Sequence, residues 1–243
     1  VTRTPPTFVA EYESTWNAST TPRSVSATIA PNDCLIIAGI TSNDTTPFSG
    51  LYPQDTLGTH LTYNLLESIL VTDYCALKLW SVLNTGGQSG TFTLSLGTTS
   101  GVDDWGFNCL RFSGVQSIGN HAQNHAEVSS GGQVLNLTTS AENSVVVCFA
   151  GDWTADPATD RQWKNINGTQ PTSANGFVKT FQVITAVYGV YGAYWPDVGA
   201  AGTHDYGVNP PIDQKYSIAA VELVGPSVGG GPALVSAGFF DGI

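Results

Sequence analysis

The sequence predicts an all-β protein, a two-sheet β-sandwich of jelly-roll type with an extended C-terminal arm. Three observations predict it. Short runs of β-branched, aromatic and aliphatic residues recur along the chain between clusters of Gly, Pro, Asn and Asp, the pattern of strands joined by turns. About one residue in five is Ser or Thr, 11% are charged, and there are 27 Gly and 13 Pro, so strong helix formers are scarce and no amphipathic helix stands out. Some runs are apolar at every position, which suits strands covered on both faces.

Taken in order, strands are expected over 7–14, 24–30, 33–41, 60–68, 74–83, 90–97, 105–115, 133–139, 144–153, 176–188 and 216–225. The run TFTLSLG is the clearest: Phe92, Leu94 and Leu96 point one way and Thr91, Thr93 and Ser95 the other, as a half-buried strand requires. CLIIAGI and VVVCFA are apolar on both faces and belong in the middle of a sheet or between two. Without helices, these strands hide their apolar faces only by stacking sheets or closing a barrel. The stretches 42–59 and 189–215 read as long irregular loops where specificity would reside, and no repeat of 20 to 50 residues is visible. One sandwich domain over 1–226 is expected, followed by a Gly-rich linker and apolar arm over 227–243.

Charge narrows the partners. The net charge of -11 repels phosphate backbones and anionic membrane surfaces, so neither nucleic acid nor membrane insertion is expected. No run approaches the roughly 18 apolar residues that span a bilayer, and the first residues lack the plan of a signal peptide. Cys34, Cys75, Cys109 and Cys148 sit in apolar runs without C-x-x-C spacing. They read as buried thiols, with two disulfides as the alternative in an oxidising compartment. The N-x-S/T triplets at Asn17, Asn43, Asn136 and Asn167 are about as many as chance supplies in so Ser/Thr-rich a chain.

No catalytic motif of the nucleophile-elbow, zinc-protease, Walker or Cys/His kind occurs, and no cofactor or enzyme activity is expected. A glycosidase would need only two separated carboxylates. His121 and His125, with Glu127, read as a solvated loop rather than a metal site. Asp152, Asp156 and Asp160 lack the order of a calcium loop and read as polar turn residues. Aromatic residues are the stronger signal: Tyr188, Tyr191, Tyr194 and Trp195 fall within eight positions, and Trp153 and Trp163 bracket the Asp-rich stretch. Trp153, Trp163, Tyr191, Tyr194 and Trp195 are candidates either for stacking on a glycan or for packing in a core or interface.

The series APNDCLIIAGI, LWSVLNTGGQSGTFTLSL, CLRFSGV, NSVVVCFAGD and YSIAAVELVGP resembles the β-sandwich modules of minor tail and other structural proteins in phages of actinobacteria. The likeness covers roughly 8–226 and departs from the pattern at PFSGLYPQD and in 189–215. It implies a non-enzymatic virion component, at the tail or decorating the capsid, assembled in many copies with other virion proteins. A trimer follows by analogy, host attachment is a natural role, and no functional residue carries over.

The segment after the last strand, with three successive glycines followed by Leu234, Val235, Phe239, Phe240 and Ile243, reads as an assembly arm that reaches a neighbouring subunit. Docking on its own sandwich is the alternative. The second functional reading is a glycan-binding, lectin-like module.

Overall fold

The computed structural model describes residues 2–18, 22–44, 50–70, 74–97, 104–126, 132–153, 162–171, 178–182, 188–212 and 215–228. Among them the protein is all-β, and every named strand pairing is antiparallel. The first half of the chain holds β1 (Thr7–Glu13), β2 (Asn17–Ala18), β3 (Arg23–Ile29), β4 (Cys34–Asp44), β5 (Pro53–Asp55), β6 (Asn64–Ile69), β7 (Tyr74–Leu83), β8 (Gly90–Leu96) and β9 (Asp104–Ser113). The second holds β10 (Ser117–Ala126), β11 (Gly132–Thr138), β12 (Val145–Trp153), β13 (Gln162–Trp163), β14 (Val178–Gln182), β15 (Tyr188–Trp195), β16 (Thr203–Ile212) and β17 (Lys215–Val224).

The strands form four sheets rather than the two expected. Their orders are β3-β8-β5, β1-β9-β4-β7-β6 with β2 also on β9, β10-β17-β12-β15-β14, and β11-β16-β13. Three apolar cores show how they stack. One joins Ala27, Phe92 and Leu94 of the first outer sheet to Leu35, Ile37 and Phe107. The central core sets Ile36, Ala38, Leu77 and Leu110 against Val147, Phe149, Val221 and Leu223. The third joins Val146, Cys148 and Ala220 to Leu135, Tyr206 and Val208 of the second outer sheet. The doubly apolar runs are thereby explained, because β4 and β12 each send alternate side chains into two different cores.

The two halves repeat one plan. Setting aside the two-residue β2 and numbering the rest of each half from one to eight, both halves run 1-8-3-6-5 in the larger sheet and 2-7-4 in the smaller. Register repeats too: Leu35 faces Arg111, and Val146 faces Glu222, each residue 111 positions beyond its counterpart. The opening strands are bulged at the same place, between Phe8 and Ala10 and between Ile118 and His121. Left-handed Asn32 (φ 64°) and Asn143 (φ 55°) turn the chain into β4 and β12, a conformation that Asn tolerates better than most residues. The repeat is about half the chain long, far longer than the 20 to 50 residues of solenoid and propeller repeats.

The expected irregular stretch 189–215 is mostly strand, in β15 and β16, and β10 occupies residues read as loop. Strand β15 escaped because VYGVYGAYW is rich in glycine, which weakens the strand signal until neighbours supply the pairing.

Candidate functional site

Among the described residues, the candidate aromatics Trp163, Tyr194 and Trp195 pack inside the protein. Trp163 and Trp195 are 3% and 0% exposed and meet edge to face at 5.7 Å, while Trp195 meets Tyr206 at 4.9 Å. Trp195 also donates its indole N–H to the Lys164 carbonyl at 3.0 Å, so both rings are committed to the third core. Tyr194 stacks on Phe8 at 5.1 Å and meets Phe112 edge-on at 5.4 Å, bridging the two halves. Of the two expected roles, packing is the one these three rings take: β15 lies inside a sheet, with Trp195 in the third core and Tyr194 against the central one. Trp153 lies on β12 and Tyr191 on β15; their side chains fall outside the described set. The arm residues Leu234, Val235, Phe239, Phe240 and Ile243 also lie outside the described residues.

His121 and His125 stand on a strand rather than in a loop, paired to β17. His121 Nδ1 lies 2.6 Å from Glu67 Oε1 of β6, a link between the halves. Glu127, Asp156 and Asp160 lie outside the described residues. Among the described residues no three His, Cys, Asp or Glu side chains converge on a metal position.

A different site emerges in the first half. Strand β5 pairs with β8 and alternates, burying Pro53 and Asp55 while Gln54 faces out. Leu51 leads into it by resting on Gly39, where a Cβ would come within 2.6 Å of Leu51 Cδ2. The chain then turns back on the Asp55 carboxylate. Asp55 Oδ1 accepts from the Leu57 amide at 2.9 Å and lies 3.1 Å from His60 Nδ1; Oδ2 accepts from the Leu61 amide and the Tyr63 hydroxyl, each at 2.9 Å. One buried carboxylate thus ties together residues up to eight positions away, the Leu57 bond being a local Asx-type closure.

Burial by itself raises the Asp55 carboxyl, but the bonds from Leu61, His60, Tyr63 and Leu57 outweigh it and hold it below the ordinary carboxylate value. Burial, reinforced by Asp55, pushes the Tyr63 phenol up, so Tyr63 stays a neutral donor. The Asp55 side chain is 0% exposed and that of His60 is 73% exposed. With Nδ1 turned to the carboxylate, Nε2 is left for another partner.

Around this knot lies an open cleft of about 460 Å³ lined by Tyr52, Pro53, Gln54, Asp55, His60, Leu61 and Tyr63. Tyr52 is half exposed and held edge-on by Tyr63 at 6.2 Å. Among the described residues the lining offers an aromatic face, an amide and an imidazole beside the Asp55 carboxylate. The sequence marked 42–59 as a loop for specificity but singled out none of these residues. The available signal was the compact series Tyr52, Asp55, His60 and Tyr63, whose meaning depends on Asp55 being buried.

Comparison with protein-family models, with curated proteins and with solved structures finds no match for this chain.

Proposed function

We propose that the protein is a non-enzymatic structural component of a phage virion, a minor tail or capsid-decoration protein. The observation that carries this reading is the 1-8-3-6-5 and 2-7-4 strand order, present twice. We read each half as a jelly roll whose fifth strand joins the larger sheet, an architecture used in viral capsids and in lectins. The motif series from APNDCLIIAGI to YSIAAVELVGP, read as a resemblance to structural proteins of actinobacterial phages, is what favours the virion use. The protein then assembles with other virion proteins as a homo-oligomer, a trimer by analogy, with 227–243 as the assembly arm. Mass spectrometry of purified particles followed by a particle map tests this: the chain present at tail or capsid surface supports it, and complete particles without the chain overturn it.

A glycan-binding module is the second reading, favoured by the exposed ring and polar groups of the Tyr52 cleft. The two roles are compatible in a host-attachment protein.

A further inference from the structure

We infer that the Tyr52 cleft binds a neutral pyranose, the terminal sugar of a surface glycan, through Tyr52, Gln54 and His60; this rests on the second reading above. Four observations lead to it. The first is the difference between the two halves. Strand β13 sits against β16 as β5 sits against β8, with Trp163 opposite Val208 as Asp55 is opposite Leu94. In the second half that inward position carries an indole packed on Trp195. In the first half it carries a carboxylate that organises a cleft. Two copies of one plan thus diverge where a packed interior is replaced by an opening.

The second observation is the exposed ring. Tyr52 is 53% exposed, whereas Trp80, Trp105, Trp163 and Trp195 are buried, and Tyr63 fixes its orientation from one edge. A tyrosine face held this way takes the apolar C–H face of a pyranose at little conformational cost. Third, polar groups flank the ring. The Gln54 side chain is turned outward by the alternation of β5, and its amide both donates and accepts, as a sugar hydroxyl does. His60 adds a polar ring nitrogen at Nε2, its orientation set by Asp55.

The fourth is charge. Among the described residues of the lining, Asp55 is the only carboxylate and already has four donors directed at it, and no Lys or Arg is there to meet an anion. With a net charge of -11 for the chain, uronates and sialic acids are disfavoured and uncharged hexoses fit. The volume of about 460 Å³ lies within the range of about 300–1,000 Å³ common to small-molecule sites, and the open side leaves room for the rest of a glycan chain.

The test uses the full chain on an array of oligosaccharides ending in glucose, galactose, mannose or sialic acid, followed by calorimetric titration of the strongest neutral binder. Tyr52→Ala and His60→Ala are expected to weaken that binding about tenfold or more, with Tyr52→Phe close to the parent, both Tyr52 variants keeping the parent melting temperature, and His60→Ala, which takes one donor from Asp55, still folded with a slightly lower one. Parent binding that both alanine variants retain overturns the site but leaves the glycan-binding reading standing. Binding confined to sialylated glycans overturns the neutral class. No binding to any glycan overturns the site and the second reading together, and leaves the virion reading to its particle test.

Discussion

Arg111 and Glu222 hold the same position in the two halves of the chain and carry opposite charges. Arg111 donates Nε to Asp33 Oδ2 at 2.6 Å and Nη1 to Thr28 Oγ1 at 2.8 Å. Glu222 Oε1 accepts from Ser144 Oγ at 2.7 Å and the Ala141 amide at 3.0 Å; Oε2 accepts from the Asn120 amide at 3.0 Å and Ser140 Oγ at 2.8 Å. Asp33 and Ser144 each stand at the turn into the third strand of the eight. Both halves therefore tie their closing strand to that turn by a buried polar bond, and the chemistry of the tie is inverted between them.

Removing Glu222 should cost more than removing Arg111. Glu222→Ala takes away the acceptor shared by the Ser144 and Ser140 hydroxyls and the Ser140, Ala141 and Asn120 amides, an expected loss of about 3–5 kcal/mol. Arg111→Ala leaves Asp33 with the Ala30 amide still bound at 2.6 Å, and about 1–3 kcal/mol is expected. Urea unfolding of the two variants at neutral pH measures the difference.

Stability should decline on the acid side. Burial opposes ionisation of Glu222, but bonds from Ser140, Ser144 and Asn120 prevail, so its carboxyl, like that of Asp55, is held below its ordinary value. A depressed carboxylate contributes stability that is complete above its unfolded value, 4.5 for Glu222 and 3.8 for Asp55, and is lost as pH falls through the lower folded value. The melting temperature of the parent should be level, as far as these two groups determine it, above about pH 5.5 and drop below about pH 4. Glu222→Gln and Asp55→Asn should each lower the neutral-pH value and flatten the acid decline; an unchanged slope in both would refute the assignment.

Thiol labelling can report on the three cores separately. Cys109, Cys34 and Cys148 are free and fully buried in the first outer, central and second outer cores, and burial pushes each thiol up from its ordinary value. In the native protein these three should resist a thiol reagent and react on unfolding. Mass mapping at rising urea would show whether one core opens before the others; rapid native labelling of any of the three would contradict their burial.

Trp16 lies flat on Gly106 of β9, where a Cβ would come within 2.5 Å of its Cδ2 atom. Its indole N–H is held by Glu13 at 3.0 Å. Gly106→Ala should displace the ring at a cost of about 1–3 kcal/mol, read as a lower urea midpoint with changed tryptophan emission.

Trp195 and Tyr52 should separate packing from recognition. Trp195→Ala empties a fully buried site and is expected to cost about 3–5 kcal/mol, whereas Tyr52→Ala should change stability by no more than about 0.5 kcal/mol. Calorimetric melting of both variants measures the contrast.

Much of the fold was legible in the sequence because strand formation leaves a local mark. Alternation identified β8, and uninterrupted apolar runs identified β4 and β12 as covered on both sides. The glycine-rich β15 and polar β10 were missed, since their pairing is supplied by β12, β14 and β17. Of the candidate site, only the loop was visible. Trp163 and Trp195 have the composition of a binding surface, and nothing local distinguishes a ring facing water from one facing Tyr206.

The sequence by itself determined an all-strand chain, its strongest strands, its acidic surface and its apolar cysteine positions, because each follows from residue type and short-range period. Only the tertiary structure decided that the strands form four layers, that Glu222 answers Arg111 at a distance of half the chain, and that Asp55 is buried beneath an open cleft. These depend on which strands meet and in what register, and a shift of one residue would turn every side chain to the opposite face.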